Sequence, residues 1–239
     1  VQMESAIKYV LFGVAATGIM LFGMSYLFGL TGTTYFVELL PKMHLMMGNP
    51  AALVAMAMVL GGFLFKLAVF PFHFWVPDVY QGASNETTAF IATVPKIGAV
   101  ALLIRLVTLL TPQGQMVVSL LAALAVCSMF YGNLVALVQT DIKRMLGFSG
   151  IAHAGYVLLG VVTLHEVGYA TSLYYIIGYL VMNLAGFLVI CKVSRNGENV
   201  LIEDLSGLHQ RSPLMALTLA VSMFAMAGIP PFVGFMGKF

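Results

Sequence analysis

The sequence predicts an all-α membrane protein, a polytopic transmembrane helical bundle with broken helices. Three observations carry this. Hydrophobic residues make up 61% of the 239 and charged residues only 8%, whereas soluble domains carry about 25% charged residues, so there is too little polar surface to coat a soluble globule. Apolar runs long enough to cross about 30 Å of hydrocarbon recur along the chain, without the ten-residue alternation of barrel strands. Prolines also fall inside runs that hold lysines, so some spans cannot be continuous helices.

Counting such runs places spans at about residues 8–30, 50–72, 87–110, 116–138, 142–164, 168–192 and 213–239. The longer connections are 31–49 and 193–212; the second is polar enough to lie at the interface and holds no soluble domain. Residues 1–239 therefore read as one transmembrane domain with about seven spans. The chain starts at Val1 without a methionine or signal peptide and stops at Phe239 inside an apolar run. It is expected to be a piece of a longer protein.

Orientation follows from the basic residues. Lys8, Lys143, Arg144, Lys192, Arg195 and Arg211 fall on one side, Lys42 and Arg105 on the other, which makes the first side cytoplasmic by the positive-inside rule. The same scatter forms no basic patch, so no nucleic-acid partner is expected. Cys127 and Cys191 lie in apolar spans, match no metal or redox spacing, and read as small core residues.

Chemistry concentrates where the spans break their own pattern. In FLFKLAVFPFHFWVPDVY, residues 63–80, Lys66 has no neighbouring acid. A charge at mid-span costs about 2.5–3.5 kcal/mol on insertion scales, which marks a buried, functional cation. Pro71 and Pro77 leave the carbonyls of Leu67 and His73 without helical donors, so the helix is expected to be interrupted beside that cation. Lys96, in the next span, has Ala92, Thr93, Ala99 and Val100 one turn away, leaving room for water or a second helix, and Pro95 frees the carbonyl of Ile91. In the last span Gly228-Ile229-Pro230-Pro231 breaks the helix ahead of Lys238. Two broken spans, each with a lysine and separated by four intact ones, are the pattern of transporters built from duplicated units.

Lysine suits proton exchange because burial can bring its pKa from about 10.4 down to as low as 5–6, whereas arginine stays charged. His153, well inside the fifth span, could relay protons between lysines; the plain structural reading is a histidine bonded to a neighbouring helix. For the lysines the plain reading is snorkelling to the interface. His73, beside Trp75 and Asp78, reads as a helix-end aromatic belt with an ion pair or cap. His44, His165 and His209 read as solvated loop residues. Gly61-Gly62 reads as a helix contact.

The stretch from Lys66 to Ala83, KLAVFPFHFWVPDVYQGA, closely resembles the antiporter-like membrane subunits of respiratory complex I. Further matches are ESAIKY at 4–9, NLVALVQTDIKRMLGFS at 133–149 and AGIPPFVGFMGKF at 227–239. The resemblance implies a fourteen-helix subunit with two inverted five-helix repeats, of which this chain would hold helices six to the start of twelve. It maps a charged axis onto Lys66 on the broken seventh helix, Lys96 on the eighth, His153 on the tenth and Lys238 on the broken twelfth. The family's glutamate partner for Lys66 precedes residue 1, and Glu4 matches a different glutamate. Ser84-Asn85-Glu86 departs from a proline-containing stretch common in the family.

The resemblance further implies a proton-translocating subunit of an NADH:quinone oxidoreductase in a bacterial inner membrane. No cofactor is expected on this chain. NADH, FMN, iron-sulfur clusters and quinone would belong to other subunits, and its partners would be the other complex I membrane subunits, the lipid bilayer and protons. Two other readings stay open: a cation/proton antiporter subunit without redox coupling, and a structural spacer whose lysines serve packing alone.

Overall fold

The computed structural model describes all residues except 1, 47, 109–114, 195–196 and 239. The helices are α1 (Gln2–Thr31), α2 (Phe36–Met46), α3 (Pro50–Leu67), α4 (Trp75–Gly82), α5 (Asn85–Thr108), α6 (Gln115–Ala136), α7 (Ile142–Val162), α8 (Glu166–Val193), α9 (Leu208–Arg211), α10 (Pro213–Ala227) and α11 (Val233–Lys238). Among the described residues, α1, α3, α5, α6, α7 and α8 are long and apolar enough to cross a membrane. The seventh expected span is the interrupted pair α10 and α11. Arg195 and the expected span ends at 109–110 and 239 lie outside the described residues.

Local chemistry sets the boundaries. Asn49 accepts a hydrogen bond from the N–H of Ala51 and Pro50 opens α3, while Asp141 accepts from the N–H of Arg144 at 2.9 Å to start α7. The Ser84 hydroxyl accepts from the N–H of Thr87 at 3.3 Å at the head of α5. His165 is not a free loop residue, because its Nδ1 accepts from Val167 and caps α8. His44 lies within α2, a helix in the stretch expected to be a loop, and His209 lies within α9.

Both expected breaks are present, and they are built alike. After α3 the chain turns at Ala68, φ 63°; the N–H of Ala68 donates to Phe65 and that of Val69 to Leu64. After α10 it turns at Gly228, φ 87°, with the N–H of Gly228 donating to Ala225 and that of Ile229 to Phe224. This is the paired bonding that satisfies the last carbonyls of a helix when one residue turns left-handed. Around the first break the Phe70 N–H donates to the Ser128 hydroxyl at 2.9 Å, and Trp75 Nε1 donates to the Phe65 carbonyl at 3.2 Å. The exposed backbone is thus held by α6 and by the half-helix that follows. Pro95 does not interrupt its span, since α5 continues through it.

Close packing depends on glycine at one helix pair. A side chain at Gly23 would strike Ala55 and Met58 of α3, and one at Gly62 would strike Met20 of α1, whereas Gly61 faces open space. The helix contact read from Gly61-Gly62 therefore rests on Gly62. The cysteines depart from expectation: Cys127 is exposed and Cys191 only partly covered. The reason is geometric, because α6 buries one stripe, Leu121, Ala125 and Ser128, and Cys127 points away from it.

Lys8, Lys143 and Arg144, expected on one side of the membrane, gather at one end of the bundle. Lys8 Nζ donates to Asp78 at 2.7 Å and also pairs with Glu4, while Arg144 Nη1 donates to the other Asp78 oxygen at 2.8 Å. Lys143 Nζ donates to the Ala83 carbonyl at 2.9 Å, and the bridge between Asp141 and Leu201 brings the 193–212 connection to the same end. Asp78 thus joins α1, α4 and α7 and is not the partner of His73. Asp78→Asn is expected to lower stability by on the order of 1–2 kcal/mol, between the limits for exposed and buried pairs. A thermal melt of the assembled protein checks this; an unmoved Tm would show that the pairs contribute nothing.

Candidate functional site

The interior holds a row of amines and rings. Lys96, on α5, is 2% exposed; it reaches across to α8, where its Nζ stands 5.3 Å from the ring centroid of Tyr179. That amine has no hydrogen-bond acceptor among the described residues. Room for it comes from Gly150 of α7: a Cβ there would lie 3.0 Å from Lys96 Nζ and 2.9 Å from the Tyr179 hydroxyl. The amine and the hydroxyl therefore converge over the same backbone spot.

His153 lies one turn further along α7 and is 4% exposed. Its ring packs against Tyr179 at 4.9 Å, and its Nδ1 is 2.6 Å from the Tyr175 hydroxyl. Tyr156 meets Tyr175 edge-on at 6.3 Å. Lys238 closes the row: its Nζ sits 4.6 Å from the centroid of Tyr156 and donates to the carbonyls of Met226 and Ala227 at 2.9 and 3.2 Å. Those carbonyls belong to the end of α10, where the helix macrodipole is negative and a cation is favoured. The break thus supplies an acceptor site for the ammonium. Beyond Lys238 lies a cavity of about 260 Å³ lined by Tyr156, Tyr175, Ser172, Thr171 and Thr163, the last at the turn between α7 and α8.

Lys66 departs from the sequence reading. It occupies the last turn of α3 beside the first break, but its side chain is exposed. It borders a groove of about 460 Å³ formed with Tyr9, Val10, Gly13 and Thr17 of α1. The reason is angular: the neighbouring positions Phe65 and Leu67 are buried, and the turn between them directs residue 66 outward beside α1. The structure brings together Lys96, His153 and Lys238, and places Lys66 outside that row.

The sequence reading missed the tyrosines. Tyr175 and Tyr179 are four apart on α8, and His153 and Tyr156 are three apart on α7, so each pair shares a helix face; that spacing was the available signal. His73 sits among aromatic rings as expected, packed against Phe70, Phe74 and Tyr131, but it is 2% exposed within the first break and its Nδ1 has no hydrogen-bond partner among the described residues. The Tyr80 hydroxyl is buried and has no hydrogen-bond partner among the described residues, and its ring meets Trp75 and Phe187 edge-on.

Two interrupted helices with intact spans between them are the architecture of transporter-type membrane proteins. The chain belongs to the family described as NADH:quinone oxidoreductase/Mrp antiporter, TM, whose model matches residues 1–239. It is 60% identical over 238 residues to the NADH-quinone oxidoreductase subunit N 2 of Opitutus terrae, covering 100% of this chain and 50% of that protein. It is 48% identical over 235 residues to the protein of the same name in Solidesulfovibrio magneticus, covering 98% and 50%. The chain thus spans about half the length of the curated relatives it matches.

Among solved structures, a chain of respiratory complex I from Thermus thermophilus with bound aureothin superposes with a TM-score of 0.83 at 35% identity, covering 98% of this chain and 50% of that one. A chain of the Mrp complex from Dietzia superposes with a TM-score of 0.89 at 27% identity, covering 99% and 44%.

Proposed function

We propose that residues 1–239 form a proton-translocating domain of an NADH:quinone oxidoreductase of the complex I type, set in a bacterial inner membrane beside other membrane subunits. The observation that carries this is the row Lys96, Tyr179, His153, Tyr175, Tyr156 and Lys238, buried from Lys96 to Tyr175 and opening at Tyr156 and Lys238 onto the hydroxyl-lined cavity. Lys66 stands at the other break as the outward-facing member, available to an acidic group from a neighbouring helix. A proton shared with Lys66 would pass by Tyr80 to Lys96, along His153, and leave near Lys238 through the hydroxyl-lined cavity. NADH oxidation, FMN, iron-sulfur clusters and quinone reduction would belong to other subunits. Moving one charge through 100 mV takes about 2.3 kcal/mol, within reach of a change in ion-pair distance at low dielectric.

Lys238→Met in the full-length protein within its complex tests this. Methionine keeps the length and removes the proton, so NADH-driven acidification of sealed vesicles is expected to fall about tenfold or more, positioned proton-transfer groups being worth about 10²–10⁴ in rate. Unchanged acidification in an assembled complex would sink the reading. Damaged assembly with intact coupling in whatever assembles would favour a spacer.

The likeness to the Mrp chain favours a second reading, a cation/proton antiporter without redox coupling. Vesicles energised by NADH separate the two from vesicles energised by a sodium gradient.

A further inference from the structure

We propose that Tyr175 is a positioning residue that ties the proton state of His153 to the placement of the half-helix α11. The proposal rests on the proton-transfer reading above and goes beyond it by naming the link between chemistry and movement.

Three contacts meet at this one side chain. Its hydroxyl is 2.6 Å from His153 Nδ1, and Tyr175 is itself 1% exposed, so bulk water does not compete for that nitrogen. Its ring is also the seat of α11. A Cβ on Gly237 would lie 3.2 Å from both Cβ and Cγ of Tyr175, and nearer still to Cδ2, so the backbone of α11 rests directly on the ring. The next residue, Lys238, is held over Tyr156, which touches Tyr175 edge-on. α11 follows the left-handed turn at Gly228, and besides the 228–232 connection it is held to α10 by the close approach of Gly234 to Ala225 and by the bonds from Lys238 to Met226 and Ala227, so any shift of α11 changes its seat on this ring.

The chemistry follows from what a phenol can do. A hydroxyl both donates and accepts, whereas a neutral imidazole has one nitrogen of each kind. With the hydroxyl donating to Nδ1, neutral His153 carries its proton on Nε2. When His153 takes a second proton, passed on from the Lys96 ammonium, at Nδ1, the O–H···Nδ1 hydrogen bond gives way to an N–H···O bond in which the hydroxyl accepts. The amine loses one proton, the imidazole gains it, and the phenol keeps its own. The groups that face His153 are Tyr156 on its own helix, Tyr175 and Tyr179 from α8, Lys96 from α5 and Lys238 from α11. Of these, Tyr175 alone is within hydrogen-bond distance among the described residues. Displacing it would leave a buried donor unpaired, and so favour passing the proton on.

Two variants in the full-length protein, within its complex, separate the two halves of the idea. Tyr175→Phe keeps the ring and the seat of α11 but removes the hydroxyl. Gly237→Ala keeps the hydroxyl but pushes α11 off the ring. Each is expected to lower NADH-driven proton uptake per NADH oxidised several-fold and to shift the pH profile of pumping. The double variant is expected to be no worse than the more damaging single, because both break one link.

Wild-type pumping and pH profile in Tyr175→Phe, or strictly additive losses in the double variant, would overturn the proposal. Should Tyr175→Phe fail to assemble, Gly237→Ala decides alone, and unchanged pumping in it counts against the link. Lys96→Met, measured alongside, isolates the premise: if it pumps normally the proton-transfer reading itself fails, and if it does not while Tyr175→Phe does, only the role of Tyr175 fails.

Discussion

Lys96→Met is expected to abolish the proton transfer proposed for this chain, by at least about tenfold in vesicle acidification, while leaving the bundle as stable as before or more so. The energetics point the same way. An amine at this depth costs about 2.5–3.5 kcal/mol on insertion scales. Among the described residues, what stabilises it is the face of Tyr179 at 5.3 Å, a contact worth about 0.5–2 kcal/mol. The balance is unfavourable, so packing does not explain a lysine here. Methionine has nearly the same reach, fills the space over Gly150, and needs no partner.

Lys96→Arg sharpens the test. Arginine retains the charge but cannot give up its proton, so it too is expected to stop transfer. A pumping Lys96→Arg variant would mean that the charge matters and the proton does not. A thermal melt completes the set: a large drop in Tm for Lys96→Met would assign the amine a structural role.

Gly234→Ala is expected to be strongly damaging. A Cβ at this position would fall onto the backbone carbonyl of Ala225, inside any contact distance. Overpacking costs about 1–3 kcal/mol where side chains can give way; here the obstacle is the last turn of α10, which cannot rotate aside. The half-helix would have to lift away, taking Lys238 from the carbonyls of Met226 and Ala227. Loss of assembled protein, or assembly without pumping, is the expected outcome. Gly98→Ala is the comparison, since nothing lies within 4 Å of that position and alanine favours a helix by about 0.5–1 kcal/mol. Equal behaviour of the two variants would show that α11 is not seated as described.

The features legible in the sequence were those written in local chemistry. Apolar runs gave the spans, because each must cover the bilayer by itself. Both breaks were readable at Pro71 and at Pro230-Pro231, because a missing N–H removes a helical donor from its own turn. Lys96 was recognisable as buried from its small neighbours. Pro95 shows the limit of such reasoning, since α5 accommodates it without interruption.

What failed were statements about direction and partners. Lys66 was expected inside and faces the groove beside α1, because the rotation of α3 in the bundle is fixed by contacts such as Gly62 against Met20. Asp78 was matched with its near neighbour His73, yet its partners are Lys8 and Arg144, 70 and 66 residues away in sequence. Cys127 was placed in the core because α6 is apolar all round, which leaves its buried side undefined.

The amino-acid sequence alone determined that this chain is a bundle of membrane helices, that two of them are interrupted, and that ionisable groups lie at membrane depth. These depend on hydrophobicity and on backbone donors, properties each segment carries with it. Only the tertiary structure decided which amines share an interior, which carbonyls receive Lys238, and that tyrosines fill the intervals between Lys96, His153 and Lys238. Those relations arise where α5, α7, α8 and α11 meet, and they depend on how far each helix is turned about its own axis, which no single segment specifies.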